Sequence, residues 1–178
     1  MRFVHISDTH LGAAGFSRRI SPSGFNQREE DICNSFISAV DKIIEIKPDF
    51  VLHSGDLFHS VRPSNRIINL AIRQLLRITD LKIPMVIISG NHDTPKQRTV
   101  GSIFSIFEVF DHIHPVYRNK YETVGIKEAC IHAIPHCITI ESLHEELAKI
   151  KPDNQAKYNV LMLHGVVLQL EHLLVIYT

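Results

Sequence analysis

Short apolar runs rich in β-branched and aromatic residues alternate along this chain with longer segments of helical periodicity. In residues 28–47 apolar side chains recur every three to four positions, and Pro48 marks the end of that pattern. A second periodic segment, 65–78, follows Ser64, which can cap a helix. The apolar runs predict strands at residues 2–6, 50–54, 85–89 and 159–163. Strands that alternate with helices favour an α/β fold with a mostly parallel core.

The stretch between the third and fourth of these strands has a weaker pattern. It predicts helices over 99–108 and 141–150, and short strands, antiparallel or at a sheet edge, near 113–117, 121–125 and 130–134. The tail, 166–178, is apolar enough for either a strand or a short helix. Because the chain has no repeats and no low-complexity linker, its 178 residues predict one domain, 1–178.

Polar residues of metal-ligand type follow each of the four main strands. Asp8 and His10 follow the first strand, Asp56 the second, Asn91 the third and His164 the fourth. Ligands in open α/β sheets bind at the carboxyl ends of the strands, so we expect parallel strands to bring these five side chains to one edge of a sheet. Asp8 and His10 are two positions apart, which on an extended backbone turns both side chains to the same side.

The donor atoms of this set indicate the kind of metal. Carboxylates, an amide oxygen and imidazoles, without a thiolate, suit manganese, iron or zinc better than copper(I), and magnesium is a further candidate. Asp56 lies in the middle of the set, where a carboxylate can bridge two divalent ions, and such a pair serves displacement at phosphorus. The alternative is that each motif is an ordinary turn, since Asp, Asn and Gly favour turns. Only the four motifs together favour the metal interpretation.

In this order, D-x-H, G-D, G-N-H-D and H-G resemble the motifs of the calcineurin-like metallophosphoesterases. The stretch Gly55-Asp56-Leu57-Phe58-His59-Ser60-Val61-Arg62-Pro63-Ser64 is similar to that of the SbcD-type DNA repair exonucleases, the nuclease subunits of double-strand-break repair complexes. This resemblance implies a layered sandwich of two mixed sheets flanked by helices. It also implies a manganese-dependent exonuclease and endonuclease that acts on DNA ends, forms a homodimer, and binds an ATPase subunit with long coiled coils.

Further site residues are expected near the ligands. The resemblance places His59 in the nuclease site, in contact with phosphate or the DNA end. His92 is predicted to protonate the leaving alkoxide or stabilise the transition state. Asp93 is expected either to orient the His92 ring or to cap a turn. Arg62 and Arg98 flank the motif loops and are candidate DNA contacts, with solvated surface charge as the alternative.

One departure from the family pattern concerns the last ligands. In the family, the last metal ligands are the histidines of a G-H-x-H segment, and these 178 residues contain no such segment. We therefore expect a domain truncated at its C-terminal side, with an incomplete metal site. Two other functions are kept as alternatives: hydrolysis of another phosphoester, such as a small phosphodiester or a phosphoprotein, and a non-catalytic scaffold.

Composition bears on how the protein could bind DNA and on its cellular compartment. Nineteen Lys and Arg balance nineteen Asp and Glu, so any DNA contact must be local rather than a global basic surface. Three cysteines without C-x-x-C spacing, no signal-peptide layout and no membrane-length apolar run predict a cytoplasmic protein. Among the twelve histidines, His53 is expected either to support the site or simply to pack, and His136 to be a surface or packing residue.

Overall fold

The computed structural model describes residues 1–15, 19–96 and 101–165. Its helices are α1 Gln27–Ile46, α2 Asn65–Thr79 and α3 Ile140–Leu147, and a 3-10 helix covers Ile103–Val109. Its strands are β1 Phe3–Ile6, β2 Phe50–Ser54, β3 Met85–Ile88, β4 Ile113–Val116, β5 Glu122–Ile126, β6 Ala129–Ile134 and β7 Tyr158–Leu163. Within the described ranges, no helix is both long and apolar enough to cross a lipid bilayer.

The strands form two sheets. The first has the order β1-β2-β3-β4, and all of its strand pairs are parallel. The second has the order β5-β6-β7, with an antiparallel β5–β6 pair and a parallel β6–β7 pair. The predicted α/β architecture of two sheets with helices is confirmed. The first sheet is not mixed, however, because each of its strands is followed by a helical crossover before the next. β4, predicted as antiparallel or at an edge, is parallel and at the edge.

The first sheet is buried on both faces. Side chains alternate across β2, so that Val51 packs against the helices and Leu52 faces the second sheet. On the helix side, Phe36 of α1 and Leu75 of α2 belong to the buried cluster. Between the sheets, Ile131 of β6 joins a second buried cluster. Because the first sheet is packed on both faces, the positions of its strand ends are fixed. The polar motifs follow directly after these strand ends.

The two long helices begin at side-chain caps. Asn26 accepts hydrogen bonds from the backbone of α1, and Ser64 accepts one from Ile67 at the start of α2. Both helices agree with the prediction to within one residue at each end.

The predicted helix over 99–108 is wrong in type. The segment 103–109 is a 3-10 helix, in which Phe104 and Phe107, three positions apart, are both buried. Residues 99 and 100 lie outside the described residues, as does the tail 166–178. α3 ends at Leu147, three residues earlier than predicted.

Candidate metal centre

The segments after β1 and β2 continue side by side beyond the sheet. Asp8 N donates to Gly55 O at 3.0 Å, and His10 N donates to Asp56 O at 2.9 Å. Two further backbone bonds extend the pairing to Leu11. Three of the five predicted ligands, Asp8, His10 and Asp56, are therefore held on neighbouring backbone segments.

These three ligands occupy a backbone conformation that L-residues seldom adopt. The φ angles are 54° at Asp8, 45° at His10 and 53° at Asp56. The expectation of an extended backbone from Asp8 to His10 is therefore wrong. Each such residue costs roughly 1–3 kcal/mol, and such a conformation persists only when surrounding contacts determine it. The paired backbone bonds supply some of those contacts.

The turn after β3 approaches Asp56 so closely that it requires glycine. A Cβ at Gly90 would lie 2.1 Å from Asp56 Oδ1 and 2.4 Å from Asp56 N. Two residues later, the backbone N of His92 donates to Asp56 Oδ1 at 2.9 Å. One oxygen of Asp56 is thus fixed by the backbone, which leaves Oδ2 to face the other ligands.

His164 presents a lone pair to other acceptors. Its Nδ1 lies 2.8 Å from Ser54 O, which can only accept, so Nδ1 carries the proton. In the neutral ring, Nε2 then faces Asn91 Oδ1 at 2.9 Å and Asp56 Oδ2 at 3.7 Å. Three acceptor atoms that face one another repel, and a cation between them removes the repulsion. This set of atoms fits a divalent metal ion.

Asp56 Oδ2 also faces a second group of ligand atoms. His10 Nε2 lies 3.5 Å from Asp56 Oδ2 and 3.9 Å from Asp8 Oδ1. Asp56 Oδ2 is therefore shared between an Asp8–His10 side and an Asn91–His164 side, as expected of a bridging carboxylate. The five predicted ligands are brought together, but not by one sheet as predicted. His164 follows β7 of the second sheet and reaches the site from there.

Three imidazoles lie together beside the carboxylates. The ring centroids are 4.8 Å apart for His10–His92, 5.0 Å for His59–His92 and 5.3 Å for His10–His59. Desolvation, together with the neighbouring imidazoles, lowers the pKa of His59. Nitrogen atoms of the three rings lie within 4.8 Å of one another, so this group could also contribute metal ligands.

Comparison with known sequences supports the metal interpretation. The sequence model of the calcineurin-like phosphoesterases matches residues 1–174. The chain belongs to this family. Its relatives include three proteins named "DNA double-strand break repair protein Mre11". The Methanococcus maripaludis protein is 35% identical over 92% of this chain and 43% of its own length. The Sulfurisphaera tokodaii protein is 35% identical over 92% and 40%, and that of Saccharolobus solfataricus 34% identical over 96% and 42%. The chain thus spans less than half the length of these relatives.

Asp93 stabilises the turn after β3. Its carboxylate is buried, with Oδ1 accepting from Gly90 N at 2.6 Å and Oδ2 from Phe58 N at 3.2 Å. Burial raises the pKa of Asp93 to about 6, against the opposing effect of these hydrogen bonds. Of the two roles left open by the sequence, these contacts correspond to the turn cap. Both of these hydrogen bonds are with backbone N–H groups.

The candidate DNA-binding arginines are not part of the ligand cluster. Arg62 is exposed in the loop before α2, and Arg98 lies outside the described residues. Arg66, near the start of α2, forms an ion pair with Glu29 and lies over the ring of Phe25. Among the described arginines near the motif loops, Arg62 is therefore the better candidate for a phosphate contact.

Two further histidines adjoin the site: His136, which was expected at the surface or in packing, and His53, whose supporting role was left open. The His136 ring is half-buried, and its centroid lies 6.4 Å from that of His164. It follows β6, whose carboxyl end lies beside that of β7, so the pairing of these strands would have been the signal. His53 is fully buried beneath the loops that carry Asp8 and Asp56.

Proposed function

We propose that this chain is the nuclease domain of a DNA double-strand-break repair protein, a metal-dependent hydrolase with exonuclease and endonuclease activity. The proposal draws on family membership and on the name that the three relatives share, which describes them as DNA double-strand break repair proteins. The observation that carries it is the cluster of carboxylate, amide and imidazole atoms around Asp56 Oδ2, because a divalent cation between such atoms would remove their mutual repulsion.

Five residues would hold two divalent ions, with manganese as the first candidate: Asp8, His10, Asp56, Asn91 and His164. Bound ions of this kind supply Lewis acidity to phosphoryl oxygens and lower the pKa of a coordinated water. The protein supplies the geometry in which this can happen. Asp56 is fixed through Oδ1, and His164 is fixed through Nδ1, so both point their free atoms into the same space.

His92 would transfer a proton to the leaving group. Its Nδ1 lies 3.3 Å from the backbone oxygen of His59, which can only accept, so Nδ1 carries a proton and Nε2 is directed elsewhere. A proton on Nε2 of the charged ring would be available to the leaving alkoxide. His59, stacked on His92, would contact the phosphate or the DNA end. Arg62 and Arg98 would bind the DNA backbone.

The wider assembly is proposed on resemblance alone. A nuclease of this type would work as a homodimer with an ATPase subunit that carries long coiled coils, and it would act on DNA in the cytoplasm. The zero net charge of the chain is compatible with DNA contact through a local surface and the metal ions.

A labelled linear DNA duplex with manganese tests the function. The full-length protein that carries this chain should degrade the duplex, and His92→Ala should lower the rate by about 100-fold or more. The matched control is His144→Ala, an exposed histidine of α3, which should cleave at the parent rate. Hydrolysis of bis(p-nitrophenyl) phosphate without any DNA cleavage would favour a small-phosphodiester enzyme. Failure to bind manganese would favour a scaffold.

A further inference from the structure

A buried histidine lies under the loops that carry the proposed metal ligands. His53 is completely inaccessible and lies on the same face of β2 as Val51, which packs against the helices. Its Nε2 lies 3.1 Å from Thr9 Oγ1, and Thr9 Oγ1 donates to Leu57 O at 3.2 Å. His53, Thr9 and Leu57 therefore form a continuous hydrogen-bonded chain beneath the site.

The direction of these bonds fixes the tautomer of His53. Because the Thr9 hydroxyl gives its proton to Leu57 O, its oxygen must accept from His53, so Nε2 carries the proton. Nδ1 is then a bare lone pair. It is buried and has no hydrogen-bond partner among the described residues. An unpartnered buried polar atom is costly, and an apolar side chain of similar size would avoid the cost.

The hydrogen-bonded chain links the two strained loops. Thr9 lies between Asp8 and His10, and Leu57 follows Asp56, so the chain joins the loop of the first two ligands to the loop of the third. All three ligands have positive φ angles, which need contacts of this kind to persist. We propose that His53 is a positioning residue, which acts through Thr9 to hold Asp8, His10 and Asp56 in their ligand geometry. This inference rests on the proposed metal centre.

The alternative is that His53 only fills space beside Val51. The two interpretations differ in what a substitution should change. If His53 only fills space, His53→Leu should leave manganese affinity unaltered. If His53 positions the loops, His53→Leu should weaken manganese binding even when the metal-free protein is no less stable, because Leu also removes the unpartnered Nδ1.

Two amides of different length separate hydrogen bonding from packing. The longer side chain of His53→Gln can place an N–H near the position of Nε2, within reach of Thr9. The shorter side chain of His53→Asn ends near the position of Nδ1 and cannot reach Thr9. Thr9→Val removes the hydroxyl from the other end of the bond and keeps the β-branched shape, so it remains informative if a His53 variant fails to fold.

The test is the manganese affinity of the full-length protein, measured by isothermal titration calorimetry, with metal-free thermal denaturation alongside. His53→Leu, His53→Asn and Thr9→Val should each raise the manganese Kd by about tenfold, the lower end of the effect of residues that support metal ligands. His53→Gln should stay within about threefold of the parent Kd. The double variant of His53→Leu with Thr9→Val should bind as weakly as either single variant, because both remove one interaction.

The outcomes separate this inference from the proposed function. Equal manganese affinity in the parent, His53→Leu and Thr9→Val would overturn the positioning role and leave the metal centre standing. A His53→Gln variant as weak as His53→Asn would also overturn it, because the hydrogen bond would then not matter. Absence of manganese binding in the full-length parent protein would overturn both proposals.

Discussion

The complete burial of His53 has a consequence for stability in acid. Burial in an apolar setting lowers the pKa of His53 from its ordinary 6.5 to about 4. In the unfolded chain the ring titrates near its ordinary pKa of about 6.5. Between these two values the unfolded state binds a proton that the folded state does not. The free energy of unfolding therefore falls as the pH drops from about 6.5 towards 4.

The size of this effect follows from the two pKa values. They differ by about 2.5, which corresponds to about 3 kcal/mol across the whole range, since each pKa unit is worth about 1.4 kcal/mol. At pH 5 the expected loss is about 2 kcal/mol. Because the ring is fully inaccessible to solvent, solvent screening does not reduce this value.

Urea denaturation of the parent and of His53→Leu, followed from pH 8 to pH 5 with EDTA present, measures the effect. The other titrating groups are the same in both proteins, so the difference between their free energies of unfolding isolates His53. That difference should be constant above about pH 7 and should move by about 2 kcal/mol in favour of His53→Leu at pH 5. A difference that is constant over the whole range would refute the argument that His53 is buried in its neutral form.

Three further substitutions test the contacts around the site and one helix. Gly90→Ala should destabilise the fold by about 1–3 kcal/mol and weaken manganese binding, because its Cβ would lie 2.1 Å from Asp56 Oδ1; denaturation and calorimetry measure both. Asp93→Asn should lower the free energy of unfolding by about 1–3 kcal/mol, because an amide NH2 would face the backbone N–H of Gly90 or Phe58; urea denaturation measures this loss. Ser64→Ala should lower the free energy of unfolding by about 1 kcal/mol through loss of the α2 cap, without changing manganese affinity.

Hydrophobic periodicity predicted the helices that are buried on one face and the strands that are buried on both faces. Phe36 and Val40 repeat at helical spacing and are buried in α1, and the apolar runs at β2 and β3 are parallel central strands, as expected. The segment 103–109 was harder, because Phe104 and Phe107 are three apart and satisfy both α-helical and 3-10 spacing.

The hydrophobic pattern did not predict which strands pair when those strands are distant in sequence. The apolar run that ends at His164 is as typical of the first sheet as of the second, and only its partner β6 decides the assignment. The same limit hid His136, which becomes a neighbour of His164 through the β6–β7 pairing. The ion pair between Arg66 and Glu29 was not predicted either, because it joins α1 to α2.

Residue type and order predicted which side chains lie close together, yet they did not predict the geometry of the cluster. Asp56 explains the difference. Oδ1 accepts the backbone N–H of His92 from the turn after β3, a contact between residues 36 positions apart, while Oδ2 faces both His10 and His164. Because this contact joins two motifs that are distant in sequence, neither motif alone could predict the orientation of the carboxylate. The bond through Oδ1 is what holds Oδ2 in place, so a substitution that disturbs the turn should also disturb metal binding.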